Sequence, residues 1–325
     1  MIIESTFRPA LGLSNCHAQT VYPTAHRRRS WLTCQQQWWA TPDGDQLAML
    51  TPQPLQDDPS RPLVLVLHGL EGSVHSPYVQ GLMSALLAAD FQVAVMHFRG
   101  CGGTPNKLPR AYHSGDSDDP RWLAEQLQQR YPSTPLMAVG YSLGGNVLLK
   151  WLGEDAQESP LIAAVAVSAP MDLAASSRRI RRGLSRFYQR HLLQSLKRSL
   201  QQKASDPALA AQLPALDNHR LFRNFQRFDD AFTAPMHGFD GVHDYYRRAS
   251  SRPLLQAISV PTLIIHAKDD PFIGEDAIPS AAELSAHVQL ELSQHGGHVG
   301  FVSGSLWRPE YWLEQRLPAF LAQYR

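Results

Sequence analysis

The sequence predicts an α/β fold, a mainly parallel sheet with helices on both faces and a helical cap inserted between two strands. Three observations lead there. Short apolar runs alternate with longer amphipathic stretches, the pattern of strands joined by crossover helices. The runs are rich in branched residues and almost wholly apolar, as strands covered on both faces must be. One interval, from about Asp172 to Arg252, breaks the alternation and reads as mostly helical.

Taken in order, Pro62 to Leu67 (PLVLVL) is the first buried strand, too short for a helix. Pro77 to Ala89 reads as a helix, and Phe91 to Met96 (FQVAVM) as the next strand. Asp119 to Arg130 has helical period and leads to a third strand, Leu136 to Gly140. A helix over Asn146 to Leu152 then precedes a fourth strand, Leu161 to Val167. Beyond the break, Thr262 to His266 and Val288 to Leu292 are strands, and a helix from Pro309 to about Ala322 closes the chain.

Inside the break, Arg178 to Lys203 is dense in Arg and Lys, while Ile180, Leu184, Phe187, Tyr188, Leu192, Leu196 and Leu200 recur at helical spacing. One face is expected to be apolar and the other cationic. The cationic face is either a solvated exterior or a surface for anionic lipid headgroups or acidic substrates. The expected organisation is one domain over residues 1–325, with the cap insertion at about 172–252.

A chain of 325 residues is long enough to bury a full core and hold an insertion. Its net charge of +1 supplies no field toward nucleic acid or a membrane, so a small-molecule substrate is expected. Cys16, Cys34 and Cys101 are odd in number and scattered, with neither zinc-site spacing nor a disulfide framework. The first residues carry Glu4 and Pro9 where a signal peptide needs a basic start and an apolar run. The apolar runs are far below the ~20 residues that span a bilayer. A cytoplasmic location without integral membrane association is expected. Because no long exposed apolar stripe stands out, so is a monomer.

The strongest local signal is Gly140-Tyr141-Ser142-Leu143-Gly144, standing where a strand ends and a helix begins. A serine hydroxyl is a weak nucleophile, and a tight turn with flanking glycines aims it at a base. His68-Gly69-Leu70-Glu71-Gly72 follows the first strand. Cleaving an ester or amide generates an oxyanion that needs fixed N–H donors. The backbone amides of Leu70 and Leu143 are placed to supply them. His68, at the strand end, is expected to be a structural imidazole.

Two further loops hold paired candidates. Asp269 and Asp270 follow the strand ending at His266. Asp270 is favoured as the acid, because it lies just before Pro271, where the chain bends. His295 and His298 follow the last strand, and His298 is favoured as the base because Gly297 and Gly300 free its loop to approach the serine. Chain order Ser142, Asp270, His298 is that of a strand-edge hydrolase site. His295 and His298 sit in a glycine loop without a nearby third ligand, so no metal is expected. Arg27, Arg28 and Arg29 form a short basic run expected to be solvated.

These segments, with NCHAQT (15–20), HGLEGS (68–73), FRGCG (98–102), YHSG (112–115), GYSLGGNVLLK (140–150), FDDAFT (228–233), AKDDPFI (267–273) and GGHVGF (296–301), span nearly the whole chain. The chain resembles the YheT-like branch of the α/β-hydrolases, the family that also contains plant embryogenesis-associated EMB8-type proteins. The resemblance implies the α/β-hydrolase fold, a triad at Ser142, Asp270 and His298, and a carboxylic-ester hydrolase with no cofactor. Bacterial members resemble carboxylesterases, and eukaryotic relatives point to lipid-like esters. An acyltransferase on the same triad, and a silent hydrolase-fold binding protein, are the alternative readings.

Overall fold

Every apolar run read from the sequence is a strand. In a computed structural model of the chain, which describes all residues except 28–30, 215, 217 and 219, β1 is Ile2–Glu4, β2 Gln35–Ala40 and β3 Gln46–Thr51. β4 (Leu63–Leu67), β5 (Gln92–His97), β6 (Leu136–Tyr141), β7 (Leu161–Val167), β8 (Thr262–Ala267) and β9 (Val288–Ser293) follow. They form one nine-stranded sheet in the order β1-β9-β8-β7-β6-β4-β5-β3-β2. All pairings are parallel except those of β3 with β5 and with β2. β4 is apolar throughout and wholly buried, which suits a strand covered on both faces.

The covering helices explain that burial. Leu123, Leu127, Val147 and Trp151 close one face, from α3 (Asp118–Arg130) and α4 (Leu143–Asp155). Val79, Leu82 and Leu86 of α2 (Pro77–Ala88) close the other with Leu317 and Phe320 of the helix Leu313–Leu321. Burying each such side chain contributes roughly 1.5–3 kcal/mol relative to exposure.

Three differences from the sequence expectation have physical causes. The helix after β6 starts at Leu143 rather than Asn146, because Gly144 and Gly145 form its first turn. Pro309–Tyr311 is a strand, β11, instead of a helix start. It pairs antiparallel with β10 (Val302–Gly304), and the helix waits until Leu313. β1, β2, β3 and the N-terminal helix α1 (Cys16–His26) carry little periodic signal. They are specified by their partners, β1 by β9 and the edge pair by β5.

The interval between β7 and β8 is helical, beginning with α5 (Leu173–Arg179) and α6 (Ser185–Lys203). Most of the expected apolar stripe faces inward, with Ile180 and Leu200 buried and Tyr188, Leu192 and Leu196 half-buried. Ile180 caps α5 and Gly183 takes φ +53°, so the spacing from 180 to 188 crosses a break. On α6 the buried positions are Ser185, Gln189, Leu193, Leu200 and Lys203, whereas Leu184 and Phe187 are 58% and 65% exposed. The cationic face is exposed at Arg186, Arg190 and Arg198. Lys203 departs from it: its Nζ is buried against Asn106 Oδ1 and the carbonyls of Leu108, Pro109 and Arg110 at 2.6–3.1 Å. Burial pushes its ammonium down to about 8.

Arg27 is not simply solvated either. It pairs with Glu314 and lies over the Tyr311 ring, while Arg28 and Arg29 lie outside the described residues.

Candidate active site

β6 ends at Tyr141 and α4 begins at Leu143, so Ser142 alone makes the turn, at φ +51° and ψ −118°. A non-glycine residue in such a conformation costs about 1–3 kcal/mol and persists only where its surroundings over-determine it. Here they do. Ser142 N–H donates to Val167 O at 2.8 Å, and its carbonyl accepts from Gly145 and Asn146 at 2.9 and 3.1 Å. A Cβ on Gly144 would sit 2.5 Å from the carbonyl oxygens of both Leu67 and His68, and one on Gly140 would meet the backbone of Gly144. The glycines therefore permit α4 to dock against the end of β4.

The loops after β8 and β9 reach the same point. His298 Nε2 lies 2.8 Å from Ser142 Oγ, and His298 Nδ1 lies 2.8 Å from Asp270 Oδ2. Asp270 is fully buried, and its other oxygen accepts from Phe272 N and Ile273 N at 2.7 and 3.3 Å. An imidazole held between a carboxylate and a hydroxyl can take the hydroxyl's proton while the carboxylate fixes its tautomer and steadies the resulting charge.

The rival candidates sit elsewhere. Asp269 accepts from Gly297 N–H at 3.0 Å, tying the two loops together, and burial pushes its carboxyl up. His295 lies on the exterior, 3.4 Å from Asp269. His68 is buried, its Nδ1 2.7 Å from Gly69 O and its Nε2 accepting from Phe98 N at 3.2 Å. Desolvation holds it down to about 4, so it is a neutral structural ring.

Leu70 and Leu143 both line the cavity in front of Ser142. Among the described residues neither backbone N–H reaches an acceptor, and Leu143 N is also at a helix N-terminus, where the dipole favours negative charge. The next residue, Glu71, takes φ +54°. Its N–H donates to Tyr112 Oη at 2.8 Å, Tyr112 Oη lies 2.9 Å from its Oε1, and Ser199 Oγ of α6 donates to its Oε2 at 2.6 Å. The loop bearing Leu70 is thus tied directly to the helical interval.

Sequence reasoning missed this support, and also the part played by α1. Thr20 Oγ1 accepts from His298 N–H at 3.0 Å, while buried Gln19 accepts from Val302 N–H at 2.7 Å. The only signal was their place in unusual segments, NCHAQT for Gln19 and Thr20, HGLEGS for Glu71 and YHSG for Tyr112. Phe272 was missed too; its ring stacks on His298 at 4.1 Å between centroids, and Tyr188 of α6 packs on Phe272 at 5.0 Å.

The cavity measures about 370 Å³. Leu70 and Leu143 form its floor, and Ile180, Leu192, Leu196 and Phe228 of the helical interval form its wall. Such an apolar recess with a few polar groups is the usual form of a small-molecule site. Among the described residues no group of three or more His, Cys, Asp or Glu side chains could hold a metal ion, and no helix is long and apolar enough to cross a membrane.

A family model described as the alpha/beta hydrolase fold matches residues 62–305. The chain belongs to that family. "Putative esterase YheT" of Escherichia coli (strain K12) is 44% identical over 99% of this chain and 94% of its own length. The family resemblance read from the motifs therefore holds along the whole hydrolase chain. "Monoacylglycerol lipase" of Saccharomyces cerevisiae is 30% identical over 79% of this chain, which spans 59% of that protein. Among solved structures, the Pyrococcus furiosus esterase Pf2001 matches with a TM-score of 0.58 at 17% identity, covering 93% of this chain and 95% of its own. That likeness is one of fold. The chain is a hydrolase-fold protein whose relatives are esterases and lipases.

Proposed function

We propose that the protein is a serine-dependent carboxylic-ester hydrolase acting through an acyl-enzyme on Ser142. The single observation that carries this reading is the unbroken hydrogen-bonded line from Asp270 through His298 to Ser142 Oγ at the mouth of an apolar cavity. Ser142 attacks the ester carbonyl as His298 Nε2 accepts its proton, and Asp270 stabilises the imidazolium. The Leu70 and Leu143 amides receive the oxyanion. His298 then protonates the leaving alcohol and afterwards activates the water that frees the acid.

The helical interval serves as a cap on a single catalytic domain, excluding water from the acyl group and strengthening each electrostatic contact beneath it. A lipid-like ester suits the apolar lining, and the lipase relative supports that class of substrate. The protein acts in the cytoplasm as a monomer.

A panel of esters with graded acyl chains, assayed on wild type and Ser142→Ala together, tests the reading. Turnover should fall by about 10⁶ in the variant, and a fluorophosphonate probe should label wild type at Ser142 alone. Undiminished cleavage by folded Ser142→Ala would remove the proposal. Product formation with and without an added alcohol separates hydrolysis from acyl transfer on the same groups.

A further inference from the structure

One polar group in the cavity wall is used by no step above. Asp229 opens a π-helical segment, Asp229–Thr233, and is among the residues lining the cavity. Such π turns widen a helix locally and recur at functional sites. The residue is half-buried. Desolvation pushes it up to about 7.

Two hydrogen bonds hold it. Thr233 Oγ1 donates to Oδ1 at 2.8 Å, and Tyr246 Oη donates to Oδ2 at 2.8 Å. Tyr246 Oη also lies 3.1 Å from Ser177 Oγ; its one proton goes to the carboxylate, so Ser177 is the donor in that contact. A carboxylate offers about four lone-pair sites, and these contacts fill two. That leaves acceptor capacity on a residue lining a recess it shares with Leu192, Leu196, Phe228 and Ile180. A ligand hydroxyl entering the recess could donate to the lone pairs that Thr233 and Tyr246 leave over.

We infer that Asp229 is a specificity-determining residue that accepts a hydrogen bond from a free hydroxyl of the substrate, so that the preferred substrates are hydroxyl-bearing esters. The inference rests on the ester-hydrolase reading and narrows it. The hydroxyl belongs either to the alcohol half, as in a partial glyceride, or to the acyl chain, as in a hydroxy-fatty ester. The chemistry at Asp229 is the same for both.

Two matched pairs separate these sources. Monodecanoylglycerol and propyl decanoate differ only by hydroxyls on the alcohol half, and methyl hydroxydecanoate and methyl decanoate only by a hydroxyl on the acyl chain. Assayed above about pH 8, where the carboxyl is ionised, wild type should favour the hydroxylated member of at least one pair in kcat/KM, by roughly tenfold to a hundredfold for a hydrogen bond to a charged acceptor. Asp229→Leu should bring that ratio close to one. Tyr246→Phe keeps the carboxyl and frees another lone pair, so it should retain the ratio. If Asp229→Leu does not fold, as a thermal melt would show, Asp229→Asn replaces it and should cut the ratio about tenfold.

No preference in wild type, an unchanged ratio in the Asp229 variant, or equal loss in Tyr246→Phe would each overturn the inference. The plain esters keep the two claims apart. Cleavage of propyl decanoate without preference defeats only the role of Asp229, whereas no cleavage of any ester defeats the hydrolase reading and this inference together.

Discussion

The turn at Ser142 and helix α6 both carry residues to the same cavity, but they are built in opposite ways. At the turn, strand, glycine, serine, glycine and helix fall within a few consecutive residues, so the pattern is legible in the sequence even though Leu67, His68 and Val167 pack against it. Gly144 is needed because a Cβ there would stand 2.5 Å from the carbonyl oxygens of Leu67 and His68. On α6, the local pattern finds the inward Leu192, Leu196 and Leu200 but misplaces Phe187 and the preceding Leu184, which face outward, while Ser185 and Gln189 turn inward. Ser185 Oγ donates to Pro271 O at 2.6 Å, and Gln189 Oε1 accepts from Phe225 N–H at 3.2 Å. Long-range hydrogen bonds, beyond the reach of a helical period, satisfy those two inward polar side chains. A site anchored in the core can thus be read locally, whereas the wall opposite it is decided by docking.

The contrast can be broken by experiment. The largest effect belongs to the core side. Asp270→Asn should leave the loop in place but lower kcat by about 10⁴ through the wrong imidazole tautomer, measured on a soluble ester at saturation. A loss below tenfold would separate Asp270 from the chemistry.

Next comes the helix face. Leu193 is 2% exposed and packs with Leu200, Phe228 and Phe232, so Leu193→Ala should destabilise by about 2–5 kcal/mol in urea unfolding. A smaller step concerns Asp229, whose carboxyl is pushed up to about 7 by burial from an ordinary value near 4. A raised carboxyl means the folded state binds the proton more tightly than the unfolded chain. Its contribution is whole below about pH 4 and is lost as pH rises toward 7, with a slope up to about 1.4 kcal/mol per pH unit. Urea midpoints across that range should fall less steeply in Asp229→Asn than in wild type. The smallest effect tests the outward stripe: Phe187→Ser should change stability by no more than about 0.5 kcal/mol. A change as large as that of Leu193→Ala would reverse the assignment of the two faces.

Much of the architecture was legible because the central strands announce themselves by composition. The runs at β4 to β9 are apolar and short, and their boundaries differ from expectation by a residue or so. The edge strands were not legible: β2, QQQWWA, is polar and mostly exposed, and it is a strand only because β3 lies beside it. The C-terminal turn of β10 into β11 is likewise a pairing, invisible to period.

At the site, Ser142, Asp270 and His298 could be chosen from loops following strands, and the structure brings them within 2.8 Å contacts. Thr20, Glu71, Tyr112 and Phe272 could not. Each acts through a partner distant in sequence, from Phe272 and His298 to Thr20 and His298, 278 residues apart.

By itself the sequence determined the order of the central strands β4 to β9 and the helices between β4 and β7, the tight turn that presents Ser142, and which residue types stand at the ends of the core strands. These depend on interactions between near neighbours, on burial demanded by composition, and on backbone geometry that glycine alone permits. Only the tertiary structure decided that Ser185 and Gln189 of α6 turn inward, that Glu71 is held by Tyr112 and Ser199, and that Asp229 lines the cavity. Those outcomes depend on hydrogen bonds and packing between segments far apart in the chain, and no local pattern encodes them.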